Sequence, residues 1–230
     1  MLICIPAVLD AAQLQEFRQE LDAVEWSDGR GSAGYLAQQV KRNQQLPDGH
    51  PLGRKLGEII LNAVKRNSRF TAAALPLKIL PPMFNRYDTN QTYGRHVDGA
   101  IRPVTGTPHR IRTDLSATLF LSDPASYDGG ELVIDDTFGP REVKLAAGDM
   151  VLYPGTSVHQ VKPVTRGHRL ASFFWVQSMV REDHKRVLLY ELDCAIQKVA
   201  IAAGPDQSAA GPATDLAGVY HNLLRLWADV

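Results

Sequence analysis

Between residues 77 and 178 the sequence abandons helical periodicity for short apolar or alternating runs, each bounded by residues that turn the chain. Eight such runs fall at about 77–87, 93–98, 115–121, 130–135, 141–145, 149–153, 158–164 and 168–177. The breaks hold Asp88-Thr89-Asn90, Asp128-Gly129-Gly130, Gly139-Pro140, Gly148-Asp149, Pro154-Gly155 and Arg166-Gly167, residues suited to left-handed or proline-fixed turns. That punctuation predicts an all-β sandwich or barrel.

The flanks read differently. Leu14, Phe17, Leu21 and Val24 follow Asp10 at helical steps and predict a capped amphipathic helix over 10–24. A second helix, over about 52–67, presents Leu56, Ile59, Ile60 and Val64, with Gly53 and Gly57 weakening it. After Gln177 the helical period returns, first over about 180–201 through Val187, Leu188, Leu192, Ala195, Ile196 and Val199. It returns again through Leu216, Val219, Leu223, Leu226 and Trp227, and the Gly- and Pro-rich stretch 202–214 between the two reads as a loop. The expected fold is mainly β with flanking helices: an N-terminal helical support region at 1–77, a β core at 78–178 and a C-terminal helical pair at 179–230. At 230 residues this suits one compact domain with a modest appendage.

Charge excludes some partners. With 25 Lys and Arg against 25 Asp and Glu, the chain has no bulk electrostatic reason to bind nucleic acid or an anionic membrane. The opening MLICIPAVLD lacks the basic region and apolar length of a signal peptide, and no other run approaches the roughly 20 residues of a membrane span. A cytoplasmic protein is expected, with Cys4 and Cys194 as free buried thiols.

The sharpest chemical signal is Gly94-Arg95-His96-Val97-Asp98. On a strand, residues two apart share a face, so His96 and Asp98 would present an imidazole and a carboxylate together. His159 opens another strand after Tyr153-Pro154-Gly155-Thr156-Ser157. Each signal alone also fits a polar or half-buried strand residue. Together, two histidines and a carboxylate form a facial triad that suits Fe(II) with three open positions, and a zinc hydrolase can use the same set. A third signal separates these metals. Val164-Thr165-Arg166-Gly167-His168 predicts a tight turn that folds 158–164 and 168–177 into a hairpin, placing His159 opposite Phe173 and Arg169 on the same face as His159. A guanidinium there could grip the far carboxylate of a short dicarboxylic acid chelated to the metal, for which a zinc hydrolase has no evident use.

Competing features are weaker. His50, His109, His168, His184 and His221 show no partner spacing. Ser157 lacks the nucleophile-elbow pattern, and no Gly-rich nucleotide loop is present.

The order His96-x-Asp98, then His159, then Arg169 ten residues later resembles the Fe(II)- and 2-oxoglutarate-dependent dioxygenases, in particular the prolyl/lysyl hydroxylase-like group called PKHD-type hydroxylases. Supporting matches are Asn85-Arg86-Tyr87, Thr118-Leu119-Phe120-Leu121-Ser122, Gly129-Gly130-Glu131-Leu132 and Gly148-Asp149-Met150-Val151-Leu152-Tyr153-Pro154. The likeness covers about 78–178 and extends into the flanking helices. It implies a double-stranded β-helix, or jelly roll, in which His96, Asp98 and His159 bind iron. It implies further that Arg169 meets the distal carboxylate of 2-oxoglutarate, that Tyr87 hydrogen-bonds this co-substrate, and that L-ascorbate rescues oxidised iron. The implied reaction hydroxylates a C–H bond while 2-oxoglutarate becomes succinate and CO2. The alternatives are a metal hydrolase and a non-catalytic jelly-roll sensor of metal or 2-oxoglutarate. The substrate, a peptide or small molecule, is not named by the sequence. The segment 99–113 is expected to be a mobile flap whose Arg102, Arg110 and Arg112 are either solvated or hold an anionic substrate, and the C-terminal helices are expected to pack on the core, with a homo-oligomer contact as the alternative.

Overall fold

The computed structural model describes residues 1–204 and 211–230. Apart from the hairpin of Leu132–Asp136 with Gly139–Val143, the strands of two large antiparallel sheets alternate between them along the chain from Met83–Tyr87 onward, which is the winding of a jelly roll. The larger sheet runs in the order Ile3–Ile5, Met150–Pro154, Leu115–Phe120, Arg169–Ser178, Met83–Tyr87, Gln44–Gln45 and Ser27–Asp28, with Pro76–Ile79 also paired to Arg169–Ser178. The smaller sheet runs Gly139–Val143, Leu132–Asp136, His159–Val161, Thr92–His96 and Lys41–Arg42.

Strand alternation sorts the larger sheet into two environments. All six residues of Leu115–Phe120 are buried. Leu115, Ala117 and Leu119 join a core with Phe17, Leu21, Leu56, Ile60 and Val64 from the helices Ala11–Ala23 and Pro51–Arg66. Ser116 and Thr118 line the cleft between the sheets. The same parity on Arg169–Ser178 sends Leu170, Phe174 and Val176 to the helix-packed core, while Arg169, Phe173 and Trp175 line the cleft. Period-two alternation thus makes one strand both a packing surface and a wall of the site.

The first helix begins as expected. Asp10 and Gln13 form a reciprocal capping box, the Asp10 side chain accepting from the Gln13 N–H at 2.9 Å. The C-terminal helices Asp183–Ala203 and Pro212–Trp227 cover Leu75, Val180 and Leu189 with Tyr220, Leu223, Leu224 and Trp227. Residues 205–210 of the loop read at 202–214 lie outside the described residues.

Several expectations need correction. The run 77–87 splits into Pro76–Ile79 and Met83–Tyr87 around Pro81-Pro82, because proline has no N–H for a ladder. Residues 1–77 supply strands as well as helices, including the edge strand Ile3–Ile5 paired with Met150–Leu152. The cysteines are free, yet Cys4 is exposed between the buried Ile3 and Ile5, and Cys194 is half-buried. The hairpin predicted across Val164–His168 does not form. His159–Val161 pairs with Leu132–Asp136 and Thr92–His96 in the smaller sheet, whereas Arg169–Ser178 lies in the larger sheet and Phe173 stands opposite Thr118 and Met83. Between them Val164–Arg166 pairs with Asp128–Gly129, and Gly167, at φ +70°, turns the chain toward the other sheet. The turn signal at Arg166-Gly167 is compatible with a hairpin, but the winding makes it a crossover between sheets. Likewise 99–113 is a paired hairpin, Ile101–Pro103 with Arg110–Arg112, pinned by Ile111 packed with Leu80 and Trp175. Among the described residues, no helix is long and apolar enough to cross a membrane.

Candidate metal centre

His96, Asp98 and His159 converge at the cleft. One ligand atom from each lies within 4.8 Å of the others, and His159 Nε2 stands 3.8 Å from Asp98 Oδ2. His96 and His159 are direct register partners on adjacent strands, with ring centroids 4.2 Å apart. Tyr93 also pairs with Val161, so three residue steps on one strand oppose two on the other. This β-bulge at Gly94-Arg95 turns Tyr93 and His96 to one side, where their rings stack at 3.6 Å. Gly94 allows the short helix Tyr35–Val40 to sit against the strand, since a Cβ there would stand 2.9 Å from Val40 Cβ.

The strand ends at His96, two residues before the expected limit, so Asp98 reaches the cluster from beyond the sheet. Ser116, on the facing sheet, donates to Asp98 Oδ2 at 2.7 Å. Burial opposes ionisation of Asp98, but His159, Ser116 and Trp175 outweigh it and hold the carboxyl below its ordinary range. His96 is pushed down to about 4, by burial first and the neighbouring His159 second, so it is neutral near pH 7. Its Nδ1 lies 2.8 Å from the Gly94 carbonyl, and His159 Nδ1 lies 3.0 Å from the Ser157 carbonyl. A carbonyl only accepts, so each Nδ1 donates a proton there, which leaves each Nε2 as the ring nitrogen available to a metal. Two imidazoles and one carboxylate are a donor set suited to a first-row divalent metal.

Arg169 is 1% exposed, and among the described residues its Nε and Nη2 have no hydrogen-bond partner. Unpaired buried guanidinium nitrogens are costly. Arg169 stands directly opposite Tyr87 in register, and its guanidinium carbon lies 5.4 Å from the Tyr87 ring and 5.1 Å from that of Phe120. Burial pushes the Tyr87 phenol up to about 12, against the pull of Arg169. Gly130, at φ +68°, gives this side chain its room, because a Cβ there would lie 3.2 Å from Arg169 Cδ. His96, Asp98, His159, Arg169 and Tyr87 all line one cleft, and Arg169 arrives there by crossing sheets, not by the predicted hairpin.

The three arginines of 99–113 separate. Arg112 is committed to Asp114 at 2.6 and 2.9 Å, Arg110 is exposed, and Arg102 lines the cleft with its guanidinium 4.1 Å from the Trp175 ring centroid. Lys41, Tyr93 and Ser116 were not singled out by sequence reasoning. Lys41 lies in the aperiodic polar stretch Lys41-Arg42-Asn43-Gln44-Gln45, which signals neither burial nor a site. His50 has a capping role, its Nδ1 accepting from the Leu52 N–H at 3.2 Å.

Residues 82–177 match the 2OG-Fe(II) oxygenase superfamily, and 183–229 match the PKHD-type hydroxylase C-terminal domain. A PKHD-type hydroxylase of Bordetella pertussis is 56% identical over 232 residues, covering 100% of both chains, and one of Parvibaculum lavamentivorans is 56% identical over 229 residues with the same coverage. The chain belongs to the PKHD-type hydroxylases. As such it is an oxidoreductase of the 2OG-Fe(II) oxygenase family. The jelly roll of this PKHD-type hydroxylase is similar to that of a Pseudomonas putida prolyl-4-hydroxylase, with TM-score 0.52 and 21% identity over 77% of this chain and 92% of that one. It is also similar to HygX from Streptomyces hygroscopicus, solved with nickel, 2-oxoglutarate and hygromycin B bound, with TM-score 0.53 and 16% identity over 79% and 84%.

Proposed function

We propose that this hydroxylase is an Fe(II)- and 2-oxoglutarate-dependent dioxygenase in which His96, Asp98 and His159 hold the metal and Arg169 holds the distal carboxylate of 2-oxoglutarate. The observation that carries this reading is the buried guanidinium of Arg169, whose Nε and Nη2 lack partners among the described residues, in the same cleft as the triad. A carboxylate would satisfy both nitrogens in a bidentate fork. A hydrolytic metal site gives Arg169 no such role.

Iron with 2-oxoglutarate supplies oxidative C–H hydroxylation, with the co-substrate converted to succinate and CO2. The chain contributes geometry and charge. The carbonyls of Gly94 and Ser157 fix both imidazoles with Nε2 toward the cleft, and Ser116 orients the Asp98 carboxylate. Tyr87 keeps its phenolic proton through burial and can donate it to the co-substrate carboxylate beside Arg169. Phe120 and Tyr87 cover the guanidinium and keep water from that carboxylate.

L-Ascorbate fits as the reductant that restores oxidised iron. A cytoplasmic setting suits the free Cys4 and Cys194, and the substrate is a peptide or small molecule. Self-association would use the exposed Leu188, Ile201, Val219 and Leu226 of the C-terminal helices, which solution mass measurements on wild type and Leu226→Glu would test. The function itself is tested by incubating the enzyme with Fe(II), 2-oxoglutarate and cell extract. The reading expects a product 16 Da heavier than its precursor and stoichiometric succinate, and unchanged 2-oxoglutarate across all conditions would contradict it.

A further inference from the structure

Opposite the Arg169 end, the cleft holds two more cations. Lys41 is 3% exposed and donates to Ser32 Oγ at 2.7 Å and Gln45 Oε1 at 3.1 Å. An ammonium has three donors, so one remains for a ligand. Arg102 donates to the Ser32 carbonyl at 3.3 Å, and its guanidinium carbon lies 4.1 Å from the Trp175 ring centroid. Ser32 therefore touches both cations, one through its side chain and one through its backbone. Neither has a carboxylate within ion-pair distance among the described residues. The acidic groups that act on Lys41 are Asp98 and Asp28, but Asp28 is bonded to Arg30 at 2.6 Å, and Asp98 belongs to the metal triad. The walls around Lys41 are aromatic, its Nζ lying 5.1 Å from the Tyr93 ring and 6.0 Å from Phe173.

A buried ammonium with only neutral partners is a poor structural element, since burial of a charge is tolerated when it is paired. The buried Lys41 and the half-buried Arg102, joined at Ser32 on the wall of a cleft, make an anion site awaiting its ligand. Lys41 lies over the Tyr93 ring, which itself stacks on His96 at 3.6 Å, and shares the cleft with His96, Asp98 and His159, so a group held here lies close to the metal cluster.

We infer that Lys41 and Arg102 form a carboxylate-binding subsite for the hydroxylated substrate, distinct from the Arg169 site for 2-oxoglutarate. This rests on the function proposed above. One remaining Lys41 donor and the free edge of Arg102 match the two oxygens of a carboxylate, and Tyr93, Phe173 and Trp175 offer an apolar seat to the body that carries it. The substrate class is an organic acid or peptide whose carboxylate sits a short apolar spacer from the oxidised carbon.

The test uses the full chain, loaded anaerobically with Fe(II) and saturating 2-oxoglutarate, and the matched probes 3-phenylpropanoate and 3-phenylpropanamide, which differ in charge at one end. Binding is read by calorimetry and by Trp fluorescence. The inference expects wild type to prefer the acid by about tenfold, and Lys41→Met and Arg102→Gln each to cut that preference below about threefold. Iron and 2-oxoglutarate affinities, measured in the same titrations, should stay within about twofold, as expected for groups outside that site. Equal affinity of wild type for acid and amide overturns the inference, and so does loss of 2-oxoglutarate affinity in the Lys41 variant, which would assign Lys41 to the co-substrate. If Lys41→Met does not fold, Arg102→Gln alone decides, because Arg102 sits on a surface hairpin. Failure of wild type to bind Fe(II) and 2-oxoglutarate at all would instead strike the proposed function.

Discussion

Arg169 and Tyr87 stand directly opposite each other on neighbouring strands of the larger sheet, and the guanidinium buried there has two nitrogens without a partner among the described residues. In the absence of an anion this arrangement is a net cost, because an uncompensated buried cation gains little from its surroundings. Arg169→Met should therefore leave the melting temperature of ligand-free protein unchanged or raise it. Wild type should gain about 2.7 kcal/mol when 2-oxoglutarate is a hundredfold above its Kd, and the variant under the same conditions less than about 1 kcal/mol. Calorimetric melting of both proteins with Fe(II) checks this, and equal ligand-induced shifts would refute the assignment.

Metal affinity should follow the triad. His96→Ala, Asp98→Ala and His159→Ala each remove one of three ligands and should lower Fe(II) affinity by more than about a hundredfold, exceeding the effect of losing an outer partner such as Ser116. Anaerobic titration against a competing chelator gives the comparison. Ser116→Ala should cost about tenfold, because Asp98 then loses the hydroxyl that donates to its Oδ2 at 2.7 Å.

Gly94 is where fold and site meet. A side chain there collides with Val40, so Gly94→Val should displace the helix Tyr35–Val40 or the bulge that carries His96, costing about 1–3 kcal/mol and weakening Fe(II) binding. Adding Val40→Ala opens the space and should restore part of both losses. If Gly94→Val binds iron as wild type does, the bulge is not what positions His96.

Lys41 gives the chain a dependence on alkaline pH. Burial, and the neighbouring Arg102 second, push its ammonium down to about 8 from an ordinary value near 10.5. Between those values the unfolded chain binds more protons than the folded one, so stability rises with pH across that window and the penalty of the buried charge is present in full below it. Wild type should gain up to about 3 kcal/mol from pH 8 to 10.5 relative to Lys41→Met. Parallel denaturant curves for the two proteins would show no such divergence if Lys41 were solvated.

The β core was legible because turn residues and period-two alternation are local signals. Strands at 115–120, 150–154 and 169–178 fall within two residues of expectation, as do the helices beginning near Asp10 and Pro51. The triad was legible for the same reason, since His96, Asp98 and His159 stand beside recognisable strand and turn signals. Which strands pair was not legible. The turn at Arg166-Gly167 resembles a hairpin in sequence, and only the global winding sends Arg169–Ser178 to the other sheet, where the register with Tyr87 replaces that expected with His159. Lys41 was invisible because its burial comes from Ser32 and Gln45 folding around it, not from any pattern in its own segment.

The central claim, that one cleft binds Fe(II) through the triad and 2-oxoglutarate through Arg169, is tested most directly by anaerobic optical titration. Wild type with Fe(II) should develop a weak visible charge-transfer band as 2-oxoglutarate is added. In Arg169→Ala the same band should need at least about thirtyfold more co-substrate, as expected for loss of a buried charged partner at 2–5 kcal/mol, and in His159→Ala it should be missing. A wild-type protein that holds Fe(II) and shows no band at saturating 2-oxoglutarate, or an Arg169→Ala variant with the wild-type midpoint, would contradict the account.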